Sequence, residues 1–117
     1  MGRESRDFET ADIISHARTA SDSYGGIAEQ TDVVVVEDYT FGWFLVSPFT
    51  RSEVVKTYGL SDNAEVFRIS GPYDASIQVG HFVTFSGNEH RILAANKVRG
   101  VNGAVVRLAM LVLKVEG

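Results

Sequence analysis

Apolar residues in this chain form short runs separated by turn-forming residues, a pattern typical of antiparallel β proteins. The runs are rich in valine, isoleucine, leucine and aromatic residues, which favour strands over helices. The first apolar segment, residues 12–18, fits either a strand or a helical turn. The later runs predict about six strands, at residues 31–37, 41–49, 65–70, 78–85, 89–95 and 104–115.

Two of these runs carry more specific information. The four consecutive valines at 33–36 are typical of a strand that is covered on both faces. Ser86, Gly87 and Asn88 separate two apolar runs and predict a tight hairpin turn. Further turns are predicted at residues 38–40, 71–74 and 100–103, where Gly, Pro, Asn or Asp is concentrated.

Residues 51–60 allow two interpretations. Val54, Val55 and Tyr58 are spaced as on one face of a short helix, which Gly59 would end. The alternative is an exposed, extended loop. The expected fold is therefore all-β, a small antiparallel β-barrel or sandwich of about six strands with one long loop and, on the first interpretation, a short helix.

The length of 117 residues fits a single domain, which we place at residues 13–117. Residues 1–12 are highly charged, and we expect them to form a flexible N-terminal arm. The chain has no cysteine, so disulfides and thiolate sites are excluded. No apolar run approaches the roughly 20 residues of a membrane-spanning helix, and we predict no membrane association.

Charge and side-chain chemistry give little sign of an enzyme. The net charge of −4 argues against DNA binding as the main function. His16, His81 and His90 show no metal-ligand spacing, although His81 and His90 could face each other across the predicted hairpin. Asp22 and Glu29 could act as an acid and a base, but the stronger interpretation is structural: Asp22 caps the turn and Glu29 begins a strand. We therefore predict no catalytic, metal or cofactor site.

Five aromatic residues lie within the eleven positions 39–49. Core packing explains such a cluster, and so does an interface, because aromatic side chains anchor protein–protein contacts. Stacking of single-stranded bases would also require flanking Lys or Arg, which residues 31–50 lack. The candidate interface residues are Tyr39, Phe41, Trp43 and Phe49.

The order of several short motifs resembles a known family. Residues 18–29 contain Asp22, Tyr24, Gly25, Gly26 and Glu29 in the pattern R-T-x-x-D-x-Y-G-G-x-x-E. A V-x-P step at 46–48, an F-R-I strand at 67–69 and a Gly- and aromatic-containing hairpin at 80–92 follow in order. Over residues 13–115 the chain resembles the head–tail joining proteins of tailed bacteriophages, also called stoppers or head-completion proteins.

The resemblance implies a β-barrel that forms a homo-oligomeric ring, a hexamer or a dodecamer, in the neck of the virion. The ring would lie between the portal or adaptor protein and the tail terminator, after synthesis in the host cytoplasm. It would close the channel, let DNA pass without sequence-specific binding and present the tail-attachment surface. A projecting loop, residues 51–63, would face the lumen or the next ring; its candidate contact residues are Arg51, Glu53, Lys56, Tyr58 and Asp62.

Two other functions remain open on the sequence. A tail terminator or tail tube protein shares small β architecture and docking loops with the joining proteins. A small oligonucleotide-binding barrel would require a basic face lined with aromatic residues, which the charge balance disfavours.

Overall fold

The computed structural model describes residues 7–18 and 30–115, which form a closed barrel of six antiparallel strands with one helix outside it. Around the barrel the strand order is β1-β2-β3-β6-β5-β4. The predicted barrel with a short helix is confirmed. The elements are β1 (Asp7–Arg18), β2 (Gln30–Leu45), α1 (Pro48–Tyr58), β3 (Val66–Pro72), β4 (Phe82–Phe85), β5 (Asn88–Arg99) and β6 (Val105–Lys114).

β1 and β2 form a long pair that differs from the expected boundaries. β1 begins at Asp7, and residues 7–11 pair with β2, so residues 7–12 belong to a strand and not to a flexible arm. β2 runs through the predicted turn at 38–40 without interruption. The pairing contains two bulges, and Asp38 there has φ of 49° with its N–H bonded to Asp12 Oδ1 at 2.9 Å. Turn-forming chemistry at this position therefore makes a bulge, which bends a strand without ending it.

Alternate residues of the strands fill the barrel interior. Phe85, the last residue of β4, lies in this interior, with its ring centroid 5.7 Å from Phe41, 5.4 Å from Phe67 and 4.8 Å from Trp43. Rings at such distances gain edge and offset contacts beyond simple burial of area. The buried residues of this main core are Ile13, Tyr39, Phe41, Ile69, Ile77, Val83, Phe85, Ile92, Leu108, Met110 and Val112.

α1 closes a second, smaller core on the outer face of the barrel. Its N-terminus is capped by Ser47, whose hydroxyl accepts from the Thr50 N–H, and Pro48 occupies the first turn. Gly59 ends the helix in the left-handed region, at φ 64°. Val54 faces the barrel, where the buried partners of this outer core are Val46, Val66 and Leu93. The helix interpretation of residues 51–60 is therefore correct, and the expected loop at 51–63 is helical as far as Tyr58.

β3 extends through Gly71 and Pro72, where the sequence predicted a turn. The Tyr39 ring lies against Gly71 so closely that a β-carbon there would be 2.6 Å from its Cζ. The Tyr39 hydroxyl donates to the Pro72 carbonyl at 2.6 Å. Gly71 is therefore needed for a close approach of a buried ring, and the chain turns later, at residues 74–77.

The strand directions give the barrel two different ends. The last residues of β1 and the first residues of β2 lie at one end, called here the upper end, together with the loop at 73–81 and the turn at 100–104. The β4–β5 turn and α1 lie at the opposite, lower end. The β5–β6 hairpin therefore turns at the upper end, where the pairing of β1 with β2 reaches Arg18 and Gln30.

Candidate interaction surface

Titratable groups do not form a metal site in residues 7–18 or 30–115, where no set of three or more metal-ligating side chains converges. His81 and His90 do not face each other: β4 and β5 pair Val83 with His90, and the His81 carbonyl accepts from the Ile92 N–H. Within the same residues, no helix is long and apolar enough to cross a membrane.

His90 is a core residue of the barrel. Its side chain is 1% exposed and lies flat on the Phe85 ring, with centroids 3.7 Å apart. Burial lowers its pKa below the ordinary value, so the neutral ring is favoured. Among the residues that the structure describes, the buried Nδ1 has no hydrogen-bond partner. This geometry suits an aromatic packing element, since an enclosed ring cannot exchange protons readily with solvent.

His16 is held between two carboxylates on the outside of the barrel. Nδ1 lies 2.5 Å from Asp32 Oδ1, and Nε2 lies 2.8 Å from Glu89 Oε2. Both nitrogens can donate together only in the protonated ring. Desolvation lowers the pKa of His16, but the hydrogen bonds and charges of Asp32 and Glu89 outweigh it and raise the pKa above 6.5. The contact joins β1 and β2 to β5 across the short β4, and His16 also packs on the Phe82 ring.

The contact of His16 with Asp32 and Glu89 predicts that the free energy of unfolding depends on pH. Since folding raises the pKa of His16, its stabilisation is complete below the unfolded value of about 6.5 and is lost as the pH rises through the folded pKa. We expect His16→Gln to lower the free energy of unfolding more at pH about 5.5 than at about 8.5. Urea unfolding of both proteins measures this, and His81 and His90, present in both, cancel from the difference. An equal loss at both pH values would show that the ring charge does not matter.

The predicted interface aromatics divide into two groups. Tyr39 and Phe41 are 4% and 1% exposed inside the barrel, so their proposed role at an interface is wrong. Trp43 packs with the same core, and its indole N–H donates to Glu9 at 3.2 Å. Phe49, in the first turn of α1, is 75% exposed and remains available for a partner. Alternating aromatics on β2 thus point inward and do not form a base-stacking face.

The candidate loop residues lie mostly on a docked helix. Arg51 donates from Nη1 to the carbonyls of Asp62, at 2.7 Å, and Ala64, at 3.2 Å. It thereby holds the segment after α1 against the helix and is not free to reach into a lumen. The expectation of a mobile loop is therefore corrected. Glu53, Lys56 and Tyr58 are exposed on α1, and Asp62 is exposed after it.

The two predicted turns have different outcomes. In the β4–β5 hairpin, Ser86 and Gly87 both have positive φ, 52° and 79°, as a two-residue type I′ turn requires, and Asn88 begins β5. This prediction is confirmed. The motif turn with Asp22, Tyr24, Gly25, Gly26 and Glu29 lies outside the described residues.

At the upper end, two β-ribbons reach beyond the strands that flank them. Residues 30–41 of β2 pair with β1 but, in the described part of the chain, with no other strand, because β3 pairs only with residues 42–45. Residues 94–99 of β5 likewise pair with β6 alone, because β4 reaches only Arg91. We name residues 30–38 of β2 the acidic arm and residues 94–107 the basic arm.

Both arms expose apolar side chains. Val33 and Val34 of the acidic arm are each 48% exposed, so the prediction of a strand covered on both faces is wrong. In the basic arm the exposed valines are Val98, Val101 and Val106. An isolated ribbon exposes both of its faces, whereas the barrel body covers one of them. Exposed valines and open strand edges together are the usual marks of a protein–protein contact.

Charge is segregated between the arms, and this segregation is already present in the sequence. Residues 30–50 include Asp32, Glu37 and Asp38 and no Lys or Arg. Residues 90–115 include five basic residues and no Asp or Glu. Of these five, Lys97, Arg99 and Arg107 belong to the basic arm.

A groove of about 440 Å³ lies at the outer surface beside the end of α1. Its apolar lining includes Leu60, Phe82 and Leu113, and Arg91 and Lys114 border it. Lys114 pairs with Glu65 at 3.1 Å. The groove is open and apolar, with no convergent polar groups that would orient a small substrate.

The barrel is similar to one known phage-related structure. No protein-family model matches the chain, and no curated protein matches it. Among solved structures, it is similar to that of the phage-like element PBSX protein xkdH from Bacillus subtilis, with a TM-score of 0.51 and 11% sequence identity. The match covers 95% of this chain and 96% of that chain. The chain therefore shares its fold, over nearly its whole length, with a protein of a phage-like element.

Proposed function

We propose that this protein is a structural component of a phage neck, forming a ring between the portal or adaptor and the tail. The ring closes the DNA channel and provides the surface to which the tail attaches. The observation that carries this proposal is the fold shared with xkdH across 95% of the chain, since xkdH belongs to a phage-like element. The proposal assigns no reaction to the chain.

The filled interior of the barrel supports a ring. Phe41, Phe85 and Met110 are each 1% exposed in the centre of the barrel, so a single copy contains no channel. Six-stranded barrels are narrow enough for side chains to fill them completely. A passage for DNA therefore has to lie between several copies. The net charge of −4 suits such a passage, because acidic walls repel phosphate and allow DNA to slide.

Exposed apolar residues at the lower end supply a surface for a neighbouring ring. Phe8, Leu45 and Phe49 are 68%, 58% and 75% exposed there. In this proposal α1 takes the role that the sequence assigned to a mobile loop, as a rigid helix that presents Phe49 and Tyr58 to the portal or tail side. A polar rim around exposed aromatic anchors is typical of such contacts.

This function can be tested by introducing a stop codon into the gene, in the phage or phage-like element that carries it. We expect heads that package DNA but carry no tails, and we expect an antibody against the chain to label the neck of wild-type particles. Electron microscopy measures both. Labelling along the tail tube would instead support a tail terminator or tube protein, and normal tailed particles without the chain would refute a neck role.

A further inference from the structure

The two arms at the upper end have complementary properties that a single copy uses only in part. Asp32 pairs with His16, and the Lys97 ammonium lies 6.0 Å from the centre of the Tyr73 ring. Among the described residues, the acidic arm has a free edge on the side of β2 that faces β3, and the basic arm has one on the side of β5 that faces β4. Each free edge carries N–H and C=O groups that a further strand could pair. The arms also carry opposite charge and exposed valines.

Their positions suit contact between copies and not within one. β2 and β5 are three places apart in the circular order of six strands and so lie on opposite sides of the barrel. Following the order around the barrel, both free edges face forward, β2 toward β3 and β5 toward β4. At two opposite points of a circle, the forward directions along the circle are antiparallel. The two edges therefore face away from each other, as a head-to-tail contact requires.

The fixed cations and exposed valines of the basic arm favour a second copy of the chain over nucleic acid as its binding partner. Arg99 donates to the Gly103 carbonyl at 2.8 Å, and Arg107 donates to Ser70 Oγ at 3.2 Å. These bonds fix two of the three cations in place, beside Lys97 and three exposed valines. A DNA-binding hairpin gains little from exposed valines, whereas a contact with Val33 and Val34 buries apolar surface on both sides.

We propose that the acidic arm of one copy pairs with the basic arm of the next, so that β2 and β5 join edge to edge around the ring. This inference rests on the proposed ring function and assigns its subunit contact. Opposite charges on the two strands set the partner and the direction, and like charges are kept apart. The contact is heterologous, and its rotation closes the ring.

A charge-swap mixture tests the pairing. Glu37 and Lys97 are both exposed. In the proposed pairing, Glu37→Lys places two positive charges at every contact between copies, and Lys97→Glu places two negative charges there. We expect each variant alone to need roughly tenfold more protein than wild type for half-assembly. An equal mixture of the two variants should assemble as wild type does. In alternating order, every contact then again joins unlike charges, which a ring with an even number of copies allows.

Two controls separate this contact from general charge effects. Glu53→Lys on α1 makes the same charge change at an exposed position away from the arms, and we expect normal assembly. Circular dichroism confirms that each variant is folded. Sedimentation velocity measures assembly. Failure of the mixture to recover assembly would refute the pairing of the arms, and so would assembly of the single variants at the wild-type concentration.

Cross-linking tests the contact even where assembly is weak. The chain has no cysteine, so Val34→Cys and Val98→Cys introduce the only thiols. With a short bis-maleimide, a mixture of these single variants should give mainly heterodimers, and the double variant a ladder that ends at the ring size. Oligomers that form without this cross-link would refute the pairing of the arms but would leave the proposed ring intact. A wild-type chain that stays monomeric in sedimentation, together with a double variant that gives no ladder, would refute both the pairing of the arms and the ring. If Lys97→Glu instead assembled normally and lost binding to DNA, the basic arm would be a nucleic-acid contact.

Discussion

Phe85→Ala is expected to lower the free energy of unfolding by about 3–5 kcal/mol, the usual cost of removing a buried aromatic ring. Phe85 is 1% exposed and touches rings on three other strands: Phe41 and Trp43 on β2, Phe67 on β3 and His90 on β5. Alanine leaves a cavity among these rings, which cannot collapse because each is fixed by its own strand. Since small domains are stable by only about 5–15 kcal/mol, this loss would threaten the fold.

Denaturant unfolding followed by far-UV circular dichroism measures the loss. Fluorescence is a poorer probe, because the single tryptophan, Trp43, lies 4.8 Å from Phe85 and its signal changes with the substitution. Phe49→Ala removes the same side chain from a position that is 75% exposed, and we expect it to change stability by less than about 0.5 kcal/mol. Equal losses in the two variants would contradict the assignment of the barrel centre.

Val54→Asp should release α1 from the barrel and lower the free energy of unfolding by about 3–5 kcal/mol. Val54 is 6% exposed and is the buried residue of α1. A carboxylate there loses the apolar contact with Val66 and Leu93 and would be buried without a partner. The expected consequence is exposure of the outer core, which fluorescent dyes that bind apolar surface would detect.

Thr57→Asp is the matched control, because it places the same carboxylate on an exposed position of the same helix. The pair also tests the correction at residues 51–63. A mobile loop could be altered or deleted without loss of the fold, whereas a docked helix cannot. An unfolding free energy for Val54→Asp that matched the Thr57→Asp value would support the loop.

The last strand, β6, shows what the sequence alone can and cannot predict. Residues 104–115 are apolar at nearly every position, which predicted a strand but not its surroundings. In the structure Leu108, Met110 and Val112 face the barrel core, while Leu111 and Leu113 lie under α1. Between Leu108 and Leu113 the run lacks polar alternation because both of its faces are covered, one by the barrel core and the other by the outer core that includes Val54 of α1.

The valines of β2 show the opposite case. Four valines in a row give the same sequence signal as β6, yet Val33 and Val34 are half exposed. The difference lies in the neighbours: β3 is too short to flank residues 30–41, and no local pattern in β2 records the length of β3. The prediction that Tyr39 and Phe41 lie at an interface was wrong for a related reason. Which side of β2 faces inward depends on bulges and on closure of the barrel.

The sequence by itself determined the all-β class, the β4–β5 hairpin and the final strand, because period, turn residues and β-branched composition act over a few residues. It also contained the charge segregation between residues 30–50 and residues 90–115. Only the tertiary structure decided that these two segments become opposite free edges of one barrel, and that residues 48–58 become a helix on its outer face. The physical reason is that strand pairing and burial join residues far apart in the chain, and local patterns do not specify those partners.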